Sequence, residues 1–335
     1  MSLSRHAESR PVDPVFSVRR YRALIVSVLL AALGYLALAV FSGWHEVGSA
    51  LAHVGPVGLV IALSLSLINY GLRFSRWQLY LQTLGHRVPW RRSLQIYLAG
   101  FALTTTPGKA GEAFRGVLLK RHGIPYPDSF AAFFSERLSD LIAIVLLTLV
   151  GVTLYPRAGL LILVGAALAA ALLLLLAHPR WITVLRNRMP KPLRSGTWIA
   201  YGFDVLHQAS RCHRPGTLVP ATLLSVTGWA AEAFAFFLIL RWMGLEVDVA
   251  FAVFVFAIGM LAGALSFMPG GLGSTEGVMV GLLIWQGVAL PEALAATILI
   301  RMTTLWFAVL IGVVATLFIT TPKDRQVGQS HPPSL

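Results

Sequence analysis

The sequence predicts an all-α polytopic membrane protein. It would have about six full spans plus two re-entrant helical hairpins in an inverted repeat, or eight to ten crossings if the hairpins span. Three observations point there. Of the 335 residues, 56% are hydrophobic and 12% charged, about half the roughly 25% charged share of a soluble domain. Several apolar runs reach the roughly 20 residues that cross a bilayer. Two apolar regions are broken by glycine, proline and a carboxylate, in Pro107-Gly108-Lys109-Ala110-Gly111-Glu112 and Pro269-Gly270-Gly271-Leu272-Gly273-Ser274-Thr275-Glu276-Gly277. Unpaired peptide groups cost several kcal/mol in hydrocarbon, so such breaks are tolerated only inside protein or beside a polar cavity.

The elements follow in order. Residues 1–22 form a basic tail with Arg5, Arg10, Arg19, Arg20 and Arg22. Ala23–Ser42 is the first span. Ala37-Leu38-Ala39 fits a signal-peptidase site, but the length of the run and the spans that follow favour a retained signal-anchor. The loop with Trp44, His45, Glu46 and His53 lacks Lys and Arg, which places it outside. Pro56–Leu84 is the second span, with Arg73 and Arg76 expected to snorkel to the inner interface. Ser93–Thr106 and Lys109–His122 form the first hairpin, entered from inside. Asp128 or Ser129 caps the next helix. Ser129–Tyr155 goes out and Gly159–Ala177 returns.

Residues 178–216 form the long inner loop, with Arg180, Arg186, Arg188, Lys191, Arg194, Arg211 and Arg214. Within it Trp198–Ser210 reads either as an amphipathic surface helix, with Ile199, Phe203, Leu206 and Ala209 on one side, or as a plain connector. Thr217–Leu240 goes out. Val249–Met268 and Glu276–Gly287 form the second hairpin, entered from outside. Glu292–Thr320 is the last span, and 321–335 is an inner tail. Every basic loop then falls inside. The formal charge of +13 is therefore read as topology, not as a nucleic-acid footprint.

Two segments match at a nearly constant offset. Pro107-Gly108 falls on Pro269-Gly270 and Arg137 on Arg301. Residues 56–155 become repeat A and 217–320 repeat B of one domain, 23–320. Three crossings between the hairpins turn the second repeat over. Inverted repeats whose broken helices hold substrate are a transporter architecture.

Ionisable groups at membrane depth are costly and mark a pathway. The candidates are Glu112, Arg115, Glu136, Arg137, Asp140, Glu232, Glu276 and Arg301. Arg137 and Asp140 are spaced for pairing on one helix face, either as a structural ion pair or as part of a site. Arg301 has Thr304, not a carboxylate, one turn onward; Glu276 or a lipid phosphate is its expected partner. Helix starts after the two tips would aim N–H groups at an anion.

No enzyme signature stands out. Gly271-x-Gly273 has no βαβ unit around it, and Gly108-Lys109 lacks the rest of a P-loop. No Ser-His-Asp or paired-carboxylate site stands out. Cys212 is the only cysteine, so no intrachain disulfide or cysteine zinc site forms. The histidines are scattered. The expectation is no catalytic residues, no metal and no cofactor.

The two glycine breaks, Glu136-Arg137-x-x-Asp140 and Arg301 together resemble the lysylphosphatidylglycerol synthase transmembrane family, also called flippase-like domain proteins. The likeness covers roughly residues 20–320. It implies a bacterial or archaeal inner-membrane protein that moves, or helps move, a lipid between leaflets; the placement of Lys and Arg puts both termini in the cytoplasm. It implies that Glu112, Arg115, Arg137, Asp140, Glu276 and Arg301 line a central cavity. The hairpin tips at Pro107, Gly108, Gly111, Pro269, Gly270, Gly271 and Gly273 would enclose the headgroup. Longer relatives carry a soluble aminoacyl-transfer domain, which a chain ending at Leu335 is expected to lack. The expected partner is a lipid with an anionic headgroup, not nucleic acid; a homodimer or lipid-biosynthesis enzymes are further partners. Two rival readings are an intramembrane headgroup transferase and a non-transporting partner of lipid-modifying enzymes.

Overall fold

The computed structural model describes residues 44–106, 112–149, 159–189 and 197–318, all of them in helices, turns and connecting coil. The expected span Ala23–Ser42, the tails 1–22 and 321–335, and the tip residues Pro107, Gly108 and Gly111 lie outside the described residues.

Helix α1, Trp44–Thr83, is two helices joined at Gly55, where φ is 65° and ψ 173°. Glycine adopts that left-handed φ at little cost. Pro56 then opens the second piece with its φ already set. Helix α2, Trp90–Phe101, and the short α3, Arg115–Lys120, flank the first tip. At 1.5 Å per residue α2 is about 18 Å long, well short of the roughly 30 Å hydrocarbon core.

Helix α4 runs Tyr126–Thr148 and α5 Gly159–Ala177. The capping expected from Asp128 or Ser129 does not occur. Pro125 is the N-cap and Pro127 sits in the first turn. Asp128 is drawn instead to the imidazole of His86, and Ser129 donates to the Pro125 carbonyl at 3.3 Å.

Two shorter helices follow, α6, Pro179–Arg188, and α7, Thr197–Cys212. Helix α6 turns 85° away from α5. Helix α7 buries Phe203 and Ala209 of its expected apolar side. Helices α8, Pro215–Trp242, and α9, Val249–Leu265, lead to a 3-10 turn at Pro269–Gly271, followed by α10, Ser274–Trp285. The last long helix is α11, Leu290–Arg301, a π turn at Met302–Trp306, and α12, Phe307–Leu317.

Among the described residues three helices are long and apolar enough to cross a bilayer: Val47–Thr83, Pro215–Trp242 and Leu290–Leu317. Helix α4 is long enough as well, but it carries Glu136, Arg137 and Asp140 inward.

The packing is reciprocal. Helix α1 lies along α8. Helix α2, from the first hairpin, packs on α12, while α9, from the second, packs on α4. Glycine permits the closest of these approaches. A Cβ at Gly312 would stand 2.1 Å from the Ala102 nitrogen, and one at Gly271 would stand 3.1 Å from the Gly263 Cα. A Cβ at Gly270 would meet the Thr105 Cα at 3.4 Å. The described ends of the two breaks therefore touch in the interior.

Candidate functional site

Four arginines and three carboxylates meet where α1, α3, α4 and α8 converge. Helix α1 supplies Arg73 and Arg76, one turn apart. Helix α4 supplies Glu136, Arg137 and Asp140. Glu112 lies in the 3-10 turn that opens α3, and Arg115 begins α3 itself.

Asp140 Oδ1 accepts from Arg76 Nη1 at 2.8 Å and from Trp229 Nε1 at 3.0 Å. Its Oδ2 lies 3.1 Å from Arg137 Nη2. Glu136 Oε2 accepts from Arg115 Nη2 at 2.6 Å. Glu112 Oε2 stands 3.3 Å from both Arg115 and Arg137, and its Oε1 accepts from Thr104 Oγ1 at 3.1 Å. Arg115 is also held between two ring faces, its guanidinium carbon 4.4 Å from Trp77 and 4.8 Å from Tyr97.

With all seven groups ionised, one positive charge is left over. Arg73 shows it most clearly. Its nearest carboxylate oxygens are 3.9 Å and 4.0 Å away, and among the described residues its buried Nε and Nη2 make no hydrogen bond. A fourth buried acid, Glu232 on α8, stands outside this count of seven.

Arg73 and Arg76 were expected at the inner interface. The structure buries both, at 6% and 0% exposure. The reason is the acid around them: Glu136 and Asp140 of α4 and Glu112 before α3 outnumber Arg115 and Arg137. The signal available in the sequence was a count: Glu112, Glu136 and Asp140 need more arginine than Arg115 and Arg137 provide.

A second pair lies apart from this core. Arg301 Nε donates to Glu276 Oε1 at 2.7 Å, and Arg301 Nη2 donates to the Gly270 carbonyl at 2.7 Å. The backbone N–H of Gly273 donates to Glu276 Oε2 at 2.6 Å. The anion at this helix start is thus the protein's own carboxylate. Gly270, Gly271 and Gly273 have φ of 62°, 69° and 84°, which a residue with a Cβ adopts only under strain. Glu276 and Arg301 are 25 positions apart, as are Glu112 and Arg137.

The π turn after Arg301 frees backbone carbonyls from the i→i+4 ladder. Hydroxyls cover them: Tyr70 donates to the Thr304 carbonyl, and Thr304 Oγ1 donates to the Ile300 carbonyl at 2.7 Å.

A cavity of about 290 Å³ opens beside the charged core. Arg137, Asp140 and Trp229 form its polar end; Leu141, Ile144, Leu168, Leu172 and Met260 make the rest apolar, and Gly270 and Gly271 of the second tip close it. Phe267, 74% exposed, and Met268 stand at its mouth. Of the four arginines in the core only Arg137 is appreciably open, its side chain 21% exposed. Of the six residues expected along the cavity, Arg137 and Asp140 line it. Glu112, Arg115, Glu276 and Arg301 are buried outside its lining. Glu232 is buried on α8. Trp229, Thr104 and Tyr70 are contributors with no sequence signal of their own.

Comparison with known proteins agrees with this architecture. The chain is similar to two UPF0104 membrane proteins of Methanothermobacter thermautotrophicus. One is 21% identical over 327 residues, covering 89% of this chain and 93% of that protein. The other is 25% identical over 321 residues, covering 88% and 94%. It is also similar to glycosyltransferase AglD of Haloferax volcanii, at 28% identity over 129 residues, covering 38% of this chain and 21% of that protein. The profile of the lysylphosphatidylglycerol synthase TM region matches residues 24–312. The chain is therefore a multi-pass membrane protein that belongs to the lysylphosphatidylglycerol synthase TM region family.

Proposed function

We propose that the chain is a flippase-like transporter. Its cargo would be an anionic phospholipid or a polyprenyl-phosphate-linked lipid, moved between the leaflets of a prokaryotic plasma membrane. The observation that carries this is the cavity. It is apolar along most of its wall, has exposed apolar residues at its mouth, and ends on Arg137 at the edge of a core with surplus positive charge. A lipid has the same division, an anionic head on an apolar chain. Guanidinium suits phosphate because it donates two parallel hydrogen bonds.

The breaks read as re-entrant hairpins of an inverted repeat. Support comes from the reciprocal packing of each hairpin on the other half's closing helix and from the two equally spaced Glu–Arg pairs. In this reading Glu112 and Glu276 hold Arg137 and Arg301 while no lipid is bound. Both termini face the cytoplasm by the placement of Lys and Arg. No chemical step on the lipid is assigned.

Translocation of fluorescent phosphatidylglycerol in proteoliposomes tests the proposal. Wild type moves the lipid across; Arg137→Ala slows it at least tenfold, and Arg301→Ala slows it too. Wild-type rates in both variants would remove the site. The partial likeness to AglD favours a second reading, a partner for enzymes of glycosyl transfer. Under that reading the purified wild-type chain moves no lipid.

A further inference from the structure

A second large concavity lies between α4 and α7. Phe130, Phe133 and Phe134 of α4 form one wall, Ile199, Phe203 and Leu206 of α7 the other, around about 480 Å³. The three α7 positions share one helical stripe. Asp204, Gln208 and Arg211 lie on the other side of that helix. Residues 178–216 carry seven Lys or Arg against one acid. An amphipathic helix in such a segment lies in the membrane surface and attracts anionic lipid.

The groove abuts the cavity across Phe133 and Phe134. Phe134 lines both. The Arg137 guanidinium carbon, on the cavity side, is 5.5 Å from the Phe133 ring centroid. At the opposite end Lys120 Nζ stands 5.7 Å from the Tyr126 ring, whose centroid is 6.4 Å from that of Phe130. Lys120 itself is exposed. An aromatic floor thus runs from a surface cation to the cavity cation.

We propose that this groove is the loading site for an anionic phospholipid of the leaflet facing the basic segment. Its phosphate sits at Lys120 and one acyl chain lies along Phe130, Phe133 and Phe134. The Phe133–Phe134 pair is the partition the lipid passes to reach Arg137. The proposal rests on the transporter reading above and adds the lateral route to its site.

The test uses the full chain in phosphatidylcholine nanodiscs doped with phosphatidylglycerol bearing a photoreactive diazirine on one acyl chain. A phosphatidylcholine probe with the same chain is the control. Adducts mapped by peptide mass spectrometry fall on α7 and on the Phe130–Phe134 stretch, several-fold more with phosphatidylglycerol. Equal labelling by both probes makes the groove ordinary lipid-facing surface and overturns the proposal. Gly202→Phe adds bulk to the groove; a Cβ at Gly202 meets no atom within 4 Å. It reduces the α7 adducts and slows translocation, each several-fold, and Gly202→Leu does so more mildly. Unchanged adducts or unchanged translocation contradict the route. Lys120→Gln narrows the preference for phosphatidylglycerol; an undiminished preference removes Lys120 from the site. Arg137→Ala separates the two claims: groove adducts persist while translocation falls. Absence of lipid movement by the wild-type chain sinks the transport reading, wild-type translocation in Arg137→Ala removes Arg137 from the site, and loss of groove adducts with transport intact sinks the loading site alone.

Discussion

Arg301 is nearly buried and has three calls on its donors, from Glu276, the Gly270 carbonyl and, at 3.9 Å, the Met260 sulfur. Arg301→Ala therefore leaves Glu276 without its partner inside the protein. The expected loss is about 3–5 kcal/mol, read as earlier unfolding in a detergent melt. Replacing both partners with Arg301→Met and Glu276→Leu recovers much of it, because the desolvation penalty disappears with the charges; a double variant no better than the single contradicts this. Tyr70→Phe removes the donor to the Thr304 carbonyl and costs about 1–3 kcal/mol, measured the same way. Cys212 offers a third check. It is buried on α7, and burial pushes its thiol up to about 12. Since the thiolate is the reactive form, maleimide at neutral pH labels the folded chain slowly and the denatured chain fast. Equal rates would show that α7 is not docked. The sequence narrowed the partner of Arg301 to Glu276 or a lipid phosphate, because Thr304 stands where a carboxylate would be needed, and the structure holds Glu276 there. The burial of Arg73 and Arg76 was not legible, because near a span's end the same residues satisfy snorkelling equally well. Only the fold brings α4's acids to them.

At the scale of elements, close backbone approach holds the hairpins in place. Gly312→Ala puts a methyl group into the Phe101–Ala102 backbone, so α2 must shift; stability and translocation both fall. Gly277→Ala, with nothing within 4 Å, is the control. It is neutral or stabilising by up to about 1 kcal/mol, the helix-propensity gain over glycine. Equal damage from both substitutions would mean that glycine acts through backbone freedom and not through contact. Much of the element order was readable. A helix stands at Gly159–Ala177 with the limits expected for that segment, and the break at Pro269–Gly273 lies between α9 and α10. Composition alone fixes such elements, since an apolar run between polar loops has one way to be satisfied in a bilayer. Helix α6 and the uncapped start of α4 were missed. The first is basic and, at ten residues, shorter than the window over which a helical period can be read, and at the second Pro127 and the pull of His86 on Asp128 override capping preference.

For the whole molecule, two Glu–Arg pairs of equal spacing sit where the interrupted halves meet, and one of them borders a lipid-shaped cavity with surplus positive charge. Net charge and hydropathy made the membrane class plain, yet the cavity was out of reach of sequence reasoning. It is made by α4, α5, α8, α9 and the second tip together, and no single segment carries its signature. The central claim is that Arg137 receives an anionic lipid headgroup. The most direct measurement is native mass spectrometry of the chain extracted gently from its membrane. The wild-type chain should retain a lipid with a phosphate-bearing anionic headgroup, lost in Arg137→Ala while the protein stays folded. Retention of zwitterionic lipid in proportion to its abundance, unchanged by Arg137→Ala, would contradict it.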